Sequence, residues 1–205
     1  MKPFTTLESP ACPLPFANID TDQIMPARFM RQPRNEGGYG QYLLHDMRHD
    51  ANGKLREGFP LNDPRHAQAR IVIARMNFGC GSSREPAVYA LADYGFACAI
   101  APSFGDIFAS NSIRNGVVPA QVSEEDAEAL LQSQHVLAGG AVRIDLAEQT
   151  ITAGNLKVSF DIPPQWKTRL LNGWDDIDLT LSHAREIEAF AAQRFAENPW
   201  AAPRR

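Results

Sequence analysis

The chain has 205 residues, a formal net charge of −4 and no apolar run near the roughly 18 residues that span a bilayer. That length holds one domain, or a domain with a subdomain, and buries about two-thirds of its unfolded surface. The charge balance excludes the basic footprint of a nucleic-acid binder, and the first residues lack a signal-peptide core, so a cytoplasmic protein is expected.

Residues 1–24 read as an extended stretch rich in Pro and Asp. Within it Asn18-Ile-Asp-Thr-Asp22 is expected to form turns and cap a helix, because short polar side chains bond nearby backbone N–H groups. Its two acids point to a metal only weakly. From Arg28 to His66 the composition turns to Arg, Asn, Gly, His and Asp, with few aliphatics. So long a connection is expected to be a mobile lid or insert over residues 28–66, with a short helix near Tyr39–Met47.

Ile71–Ala74 has the length and β-branched content of a buried strand, and Ala87–Ala92 reads as helix. Between them, in Asn77-Phe-Gly-Cys-Gly-Ser-Ser-Arg-Glu85, Gly79 and Gly81 let the backbone turn where a Cβ would clash. Ser82 or Ser83 is placed to cap the helix, with Arg84 in its first turn. Such a helix start gathers free N–H groups and the positive end of a dipole, which suits an anion. Arg84 adds a planar fork matched to a carboxylate, and the hydroxyls can take part in proton transfer. A capped helix whose serines only satisfy backbone groups is the plainer alternative. The loop lacks the Gly-Lys-Ser/Thr of a P-loop, the Gly-x-Ser-x-Gly of a hydrolase elbow and the spacing of a dinucleotide fingerprint. A small anionic ligand is what remains.

The chain continues as α/β. Phe96–Ala101 reads as a second buried strand, Phe104–Asn115 as a helix stopped at Asn115-Gly116, and Val117-Val118 as a short strand. Ser123-Glu-Glu-Asp126 opens the helix Ala127–Ser133 as a capping-box variant. Ala141–Asp145, Thr150–Thr152 and Leu156–Phe160 alternate as strands, with Gly154-Asn155 a hairpin turn. Pro163–Asn172 is a helix ended by Gly173, and Ser182 is expected to cap a last helix to about Glu197, with residues 198–205 a tail. Cys12, Cys80 and Cys98 are dispersed, with no Cys-x-x-Cys pair and no His beside them, so neither a cluster on this chain nor a nucleophilic Cys80 is expected; Cys80 is a loop-packing residue.

Asn77–Glu85, Asp93-Tyr-Gly-Phe96, Ile100–Phe108 and Asn18-Ile-Asp-Thr-Asp-Gln-Ile-Met-Pro-Ala-Arg-Phe29 together resemble the 3-isopropylmalate dehydratase small-subunit family. The likeness runs from about Phe4 to Phe190. This family corresponds to the mobile fourth domain of aconitase, so the resemblance implies an α/β fold, the swivelling β/β/α three-layer domain. It further implies a hydro-lyase that interconverts 2- and 3-isopropylmalate in leucine biosynthesis, active as a heterodimer with a large subunit that carries a 4Fe–4S cluster. By the same resemblance Ser82 is the base, and Ser83 and Arg84 bind a substrate carboxylate. Arg28 and Arg34, in the lid, are candidates for substrate contact, and no metal ligand is assigned to this chain. Pro86 stands where the family usually has His. That departure leaves open a related hydro-lyase acting on another small dicarboxylate, of citraconate or methylmaleate type; a non-catalytic anion-binding module is a further alternative.

Overall fold

The computed structural model describes residues 1–34, 37–82 and 84–202. These divide into two compact units, Met1–Gly173 and Trp174–Arg205. In the first unit the strands β1 (Thr6–Leu14), β2 (Ile71–Ala74), β3 (Cys98–Ala101), β4 (Val118–Gln121), β5 (Ala141–Asp145), β6 (Thr150–Ala153) and β7 (Leu156–Ser159) form one sheet in the order β4-β3-β2-β1-β5-β6-β7. The β1 to β4 side is parallel, and β5 to β7 continue it antiparallel.

β1 is the joint between the two halves. Thr6–Pro10 pair with β5, and Ala11–Leu14 pair with β2. At each point along it the strand has one bonded neighbour. Pro10 and Pro13, which have no N–H to donate, are therefore tolerated in a strand that lies mid-sheet. The extended reading of residues 1–24 is thus sharpened into a nine-residue strand whose prolines disguise it.

The alternation of side chains across the parallel strands divides the core. Ile71, Ile73, Cys98 and Ile100 face one side, where Leu130 of α5 (Glu124–Gln132), Val136 of α6 (Gln134–Leu137) and Leu170 of α7 (Pro164–Asn172) join them with the apolar face of β5–β7. Val72, Ala74, Ala99 and Ala101 face the other, covered by α3 (Glu85–Tyr94) and by Phe108 of α4 (Asp106–Arg114). This is the three-layer β/β/α arrangement expected of the swivelling domain. Each Val, Leu, Ile or Phe side chain buried here contributes about 1.5–3 kcal/mol.

The turn chemistry explains most boundaries. Gly154, at φ 60°, opens the two-residue hairpin loop that aligns Ala153 with Leu156. Gly116 and Gly173 take positive φ just past α4 and α7. Ser123 caps α5 by accepting from the Asp126 N–H at 3.0 Å, but the Asp126 carboxylate does not take the cap N–H. It accepts the Ser123 hydroxyl instead, at 2.7 Å, so the box closes side chain to side chain. In the second unit Ser182 does not cap the last helix. It ends α8 (Asp176–Ser182), its hydroxyl donating to the Leu179 carbonyl, and α9 (Ala184–Glu197) starts after His183. Asp175 is the cap that sequence reading missed, accepting from the Ile177 and Asp178 N–H groups.

Between β1 and β2 the chain is short turns rather than one helix. α1 (Thr21–Ile24) is followed by a 3-10 turn at Gly40–Tyr42 and by α2 (His45–Arg48), separated by Leu44 at φ 49°. The segment is not uniformly polar in space. Tyr39, Leu43, Leu44, Phe59 and Leu61 are buried in the second core cluster, whereas residues 50–58 are exposed throughout. Mobility is accordingly expected at 50–58 and not across the whole segment. Hydrogen exchange on the free chain should show the Leu44 amide, bonded to the Ile24 carbonyl at 2.9 Å, protected like β2, and most of 50–58 exchanging within seconds. Rapid exchange at Leu43 and Leu44 would show the entire segment opening. No helix among the described residues is long and apolar enough to cross a membrane.

Candidate active site

Three segments leave the carboxyl ends of β1, β2 and β3 and are stitched together there. The Gly79 N–H donates to the Ile19 carbonyl at 2.7 Å, and the Thr21 N–H to the Cys80 carbonyl at 2.9 Å. The Phe78 N–H donates to the Ser103 carbonyl, and the Gly105 N–H returns to the Phe78 carbonyl, both at 3.0 Å. The Ser103 hydroxyl accepts the Asn77 N–H at 2.8 Å. Ligands of open α/β sheets bind beyond the carboxyl ends of parallel strands, and this is where Ser82 lies.

Glycine makes the approach close enough. A Cβ on Gly79, at φ 72°, would sit 2.2 Å from the Phe108 ring, and one on Gly105 would sit 2.4 Å from the Gly79 carbonyl oxygen. Gly81 takes φ 89° against Asp20. The result is a cavity of about 220 Å³ lined by Thr21, Gly79, Gly81, Ser82 and the first turn of α4, Gly105–Phe108.

The helix start that faces Ser82 is not the expected one. Arg84 itself is the N-cap residue of α3, without a side-chain cap bond, so Ser82 caps nothing there and Ser83 lies outside the described residues. Pro86 carries no N–H, and the Ala87 N–H is spent on the Arg84 carbonyl at 3.1 Å, which leaves α3 little to offer an anion. α4 offers more. Its first intrahelical bond runs from Ala109 to the Gly105 carbonyl, and no side chain caps it. The N–H groups of Asp106, Ile107 and Phe108 thus precede the helical ladder, at the positive end of a nine-residue dipole and on the wall of the cavity. The readable signal was Gly105 at a strand-to-helix turn, with the helix expected from Phe104.

Each arginine singled out from the sequence has an aspartate partner. Arg84 Nη1 donates to Asp22 of α1. Arg28 makes a two-pronged pair with Asp46 and lies over the Phe29 ring, and holds the Asp46 carboxyl down at about 2. Arg34 grips Asp93 through Nε at 2.9 Å and Nη2 at 2.6 Å, over the Tyr89 ring. Arg28 lines a different cavity, with His45 and His49. Neither Arg28 nor Arg34 lines the Ser82 cavity. Burial pushes the Cys80 thiol above its ordinary range, with the Asp20 charge adding to it, so the loop disfavours a thiolate nucleophile. Asp20 caps α1 in a complete box with Gln23, at 2.7 and 2.9 Å.

The mixed sheet, and the glycine-built cavity with Ser82 on its wall at the ends of the parallel strands, fit an aconitase-type swivelling domain. Residues 1–125 match the aconitase C-terminal domain, and residues 176–204 match the C-terminal domain of the 3-isopropylmalate dehydratase small subunit. The chain is 43% identical to the 3-isopropylmalate dehydratase small subunit of Paramagnetospirillum magneticum over 98% of its length and 100% of that protein. It is 44% identical to the one from Neisseria gonorrhoeae, over 98% of each. A crystal structure of 3-isopropylmalate dehydratase from Methanocaldococcus jannaschii superposes with a TM-score of 0.62 at 25% identity, covering 90% of this chain and 98% of that one. The chain belongs to the 3-isopropylmalate dehydratase small-subunit family.

Proposed function

We propose that the chain is the small subunit of 3-isopropylmalate dehydratase, supplying a base and a carboxylate clamp for the dehydration and rehydration that interconvert 2- and 3-isopropylmalate in leucine biosynthesis. The observation that carries this reading is the Ser82 cavity, which Ser82 shares with the uncapped first turn of α4, while Arg84, two positions along the chain, pairs with Asp22 outside its lining. Ser82 takes the proton from the substrate carbon. A serine hydroxyl is a weak acid, so its alkoxide needs N–H donors and positive charge nearby, which α4 and Arg84 supply. Arg84 gives one nitrogen to Asp22 and, among the described residues, has the rest of its fork for a substrate carboxylate, with Ser83 assigned as the second contact. Arg28 and Arg34 reach a substrate only by leaving Asp46 and Asp93.

A 4Fe–4S cluster, which the family implies, does not fit this chain. Cys12 and Cys98 project to opposite faces of the sheet, and burial pushes both thiols up, Cys12 to about 12. Among the described residues no three His, Cys, Asp or Glu side chains are grouped to hold a metal. We place the cluster on a large partner subunit and assign this chain the proton and carboxylate contacts alone. The decisive assay mixes the chain with a 3-isopropylmalate dehydratase large subunit from the same organism and offers 2-isopropylmalate, citraconate, methylmaleate and citrate. Turnover of 2-isopropylmalate at least about a hundredfold more efficient than the rest is expected, with none from the chain alone. Preference for citraconate would sink the reading.

A further inference from the structure

We infer that Thr21 is a positioning residue for the catalytic serine, a role that rests on Ser82 being the base. Thr21 is 2% exposed and lines the Ser82 cavity. Its Oγ1 donates to the Ser82 carbonyl at 2.6 Å, while its own N–H donates to the Cys80 carbonyl at 2.9 Å. One residue of α1 therefore fixes the loop on both sides of Gly81. That spacing matters because Gly81, at φ 89°, is the loop's most permissive joint. Without the Thr21 bond, the Ser82 backbone is held beyond that joint, among the described residues, only from Arg84 onward.

Thr21 is itself held firmly. The capping box of Asp20 and Gln23 sets the α1 backbone, and the Met25 N–H bonds the Thr21 carbonyl at 3.0 Å. Asp22, the next residue, takes Arg84 two positions past Ser82. The α1 turn thus meets residues 80, 82 and 84 in succession, and Thr21 is the member whose side chain touches the serine. It makes no contact with substrate in this assignment. It acts through the place it gives Ser82, so its loss should appear in kcat, since misplacing a reacting group by about 1 Å costs on the order of a hundredfold.

The test uses the assembled two-subunit enzyme with 2-isopropylmalate. Thr21→Val, which keeps the shape and removes the donor, is expected to lower kcat about ten- to a hundredfold with KM changed less than about threefold, and Thr21→Ser to restore kcat to within about threefold. If Thr21→Val melts early, Thr21→Ala serves in its place, and Thr21→Ser still reports on the hydroxyl. Ser82→Ala is run beside them. An active Thr21→Val with an inactive Ser82→Ala would overturn the positioning role and leave the base assignment standing, as would a folded Thr21→Ser no better than Thr21→Val. If Ser82→Ala keeps its turnover, the base assignment falls and this role with it.

Discussion

Ser82→Ala in the assembled enzyme should lower kcat by about 10²–10⁴, the usual worth of a positioned general base, while substrate affinity stays within about tenfold. The split follows from the geometry. Ser82 is exposed, lines the cavity and caps no helix, and among the described residues its one fixed contact, to Thr21, is made by its backbone carbonyl. Removing Oγ therefore takes away a proton acceptor that works in the transition state and little that holds the ground state. Arg84→Lys should behave in the opposite sense. The ammonium keeps Asp22 as a partner but cannot serve two carboxylates from a planar fork. Affinity should fall roughly thirty- to hundredfold, equivalent to about 2–3 kcal/mol for a lost charge-assisted contact. Single-turnover rates and equilibrium binding separate the two effects. Near-normal turnover in Ser82→Ala would move the base to the large subunit and leave this chain as a clamp.

Gly105→Ala should cost about 2–3 kcal/mol of stability, which lowers Tm by roughly 5–10 °C in a chain of this size. Gly105 has φ −63°, a conformation alanine accepts without strain, so the penalty is steric. The new Cβ would lie 2.4 Å from the Gly79 carbonyl oxygen and 3.3 Å from the Cys80 Cα. Neither is the end of a flexible side chain, so the β2 and β3 loops must part. Activity should fall beyond what stability explains, because the same movement takes the α4 N–H groups away from Ser82. Gly53→Ala is the control. There φ is 77° but nothing lies within 4 Å, and a loss of about 1 kcal/mol with full activity is expected. A wild-type Tm for Gly105→Ala would mean that the loops already stand apart in solution.

What could be read in advance depended on whether the information was local. The β5–β7 meander was legible because alternation and Gly154-Asn155 act over a few residues, and its three runs fall within a residue or so of the observed strands. β2, β3 and α4 announced themselves by apolar runs and by Gly116. β1 was hidden because prolines argue against a central strand, and only the handover from β5 to β2 removes the objection. In the site, Gly79 and Gly81 were visible as turn formers, whereas the contact of Gly79 with Phe108 was not. The anion-binding helix end was assigned to the helix that follows Ser82 in the chain. The one that faces it in space starts 24 positions later at Asp106. Thr21 gave no sign of its role, since nothing local links residue 21 to residue 82.

β1 also sets a constraint on the order of biosynthesis. The strand leaves the ribosome before its partners: the β2 neighbour follows about 60 residues later, but the β5 neighbour of Thr6–Pro10 arrives only after roughly 130. At about 5–20 residues per second the outer half of β1 waits on the order of 7–26 s without its native hydrogen-bond partner. An unpaired strand edge invites pairing with another chain. Pro10 and Pro13 remove two of the donors that an unpaired β1 would otherwise present, so the residues that hid the strand from sequence reading also blunt it while the nascent protein is incomplete.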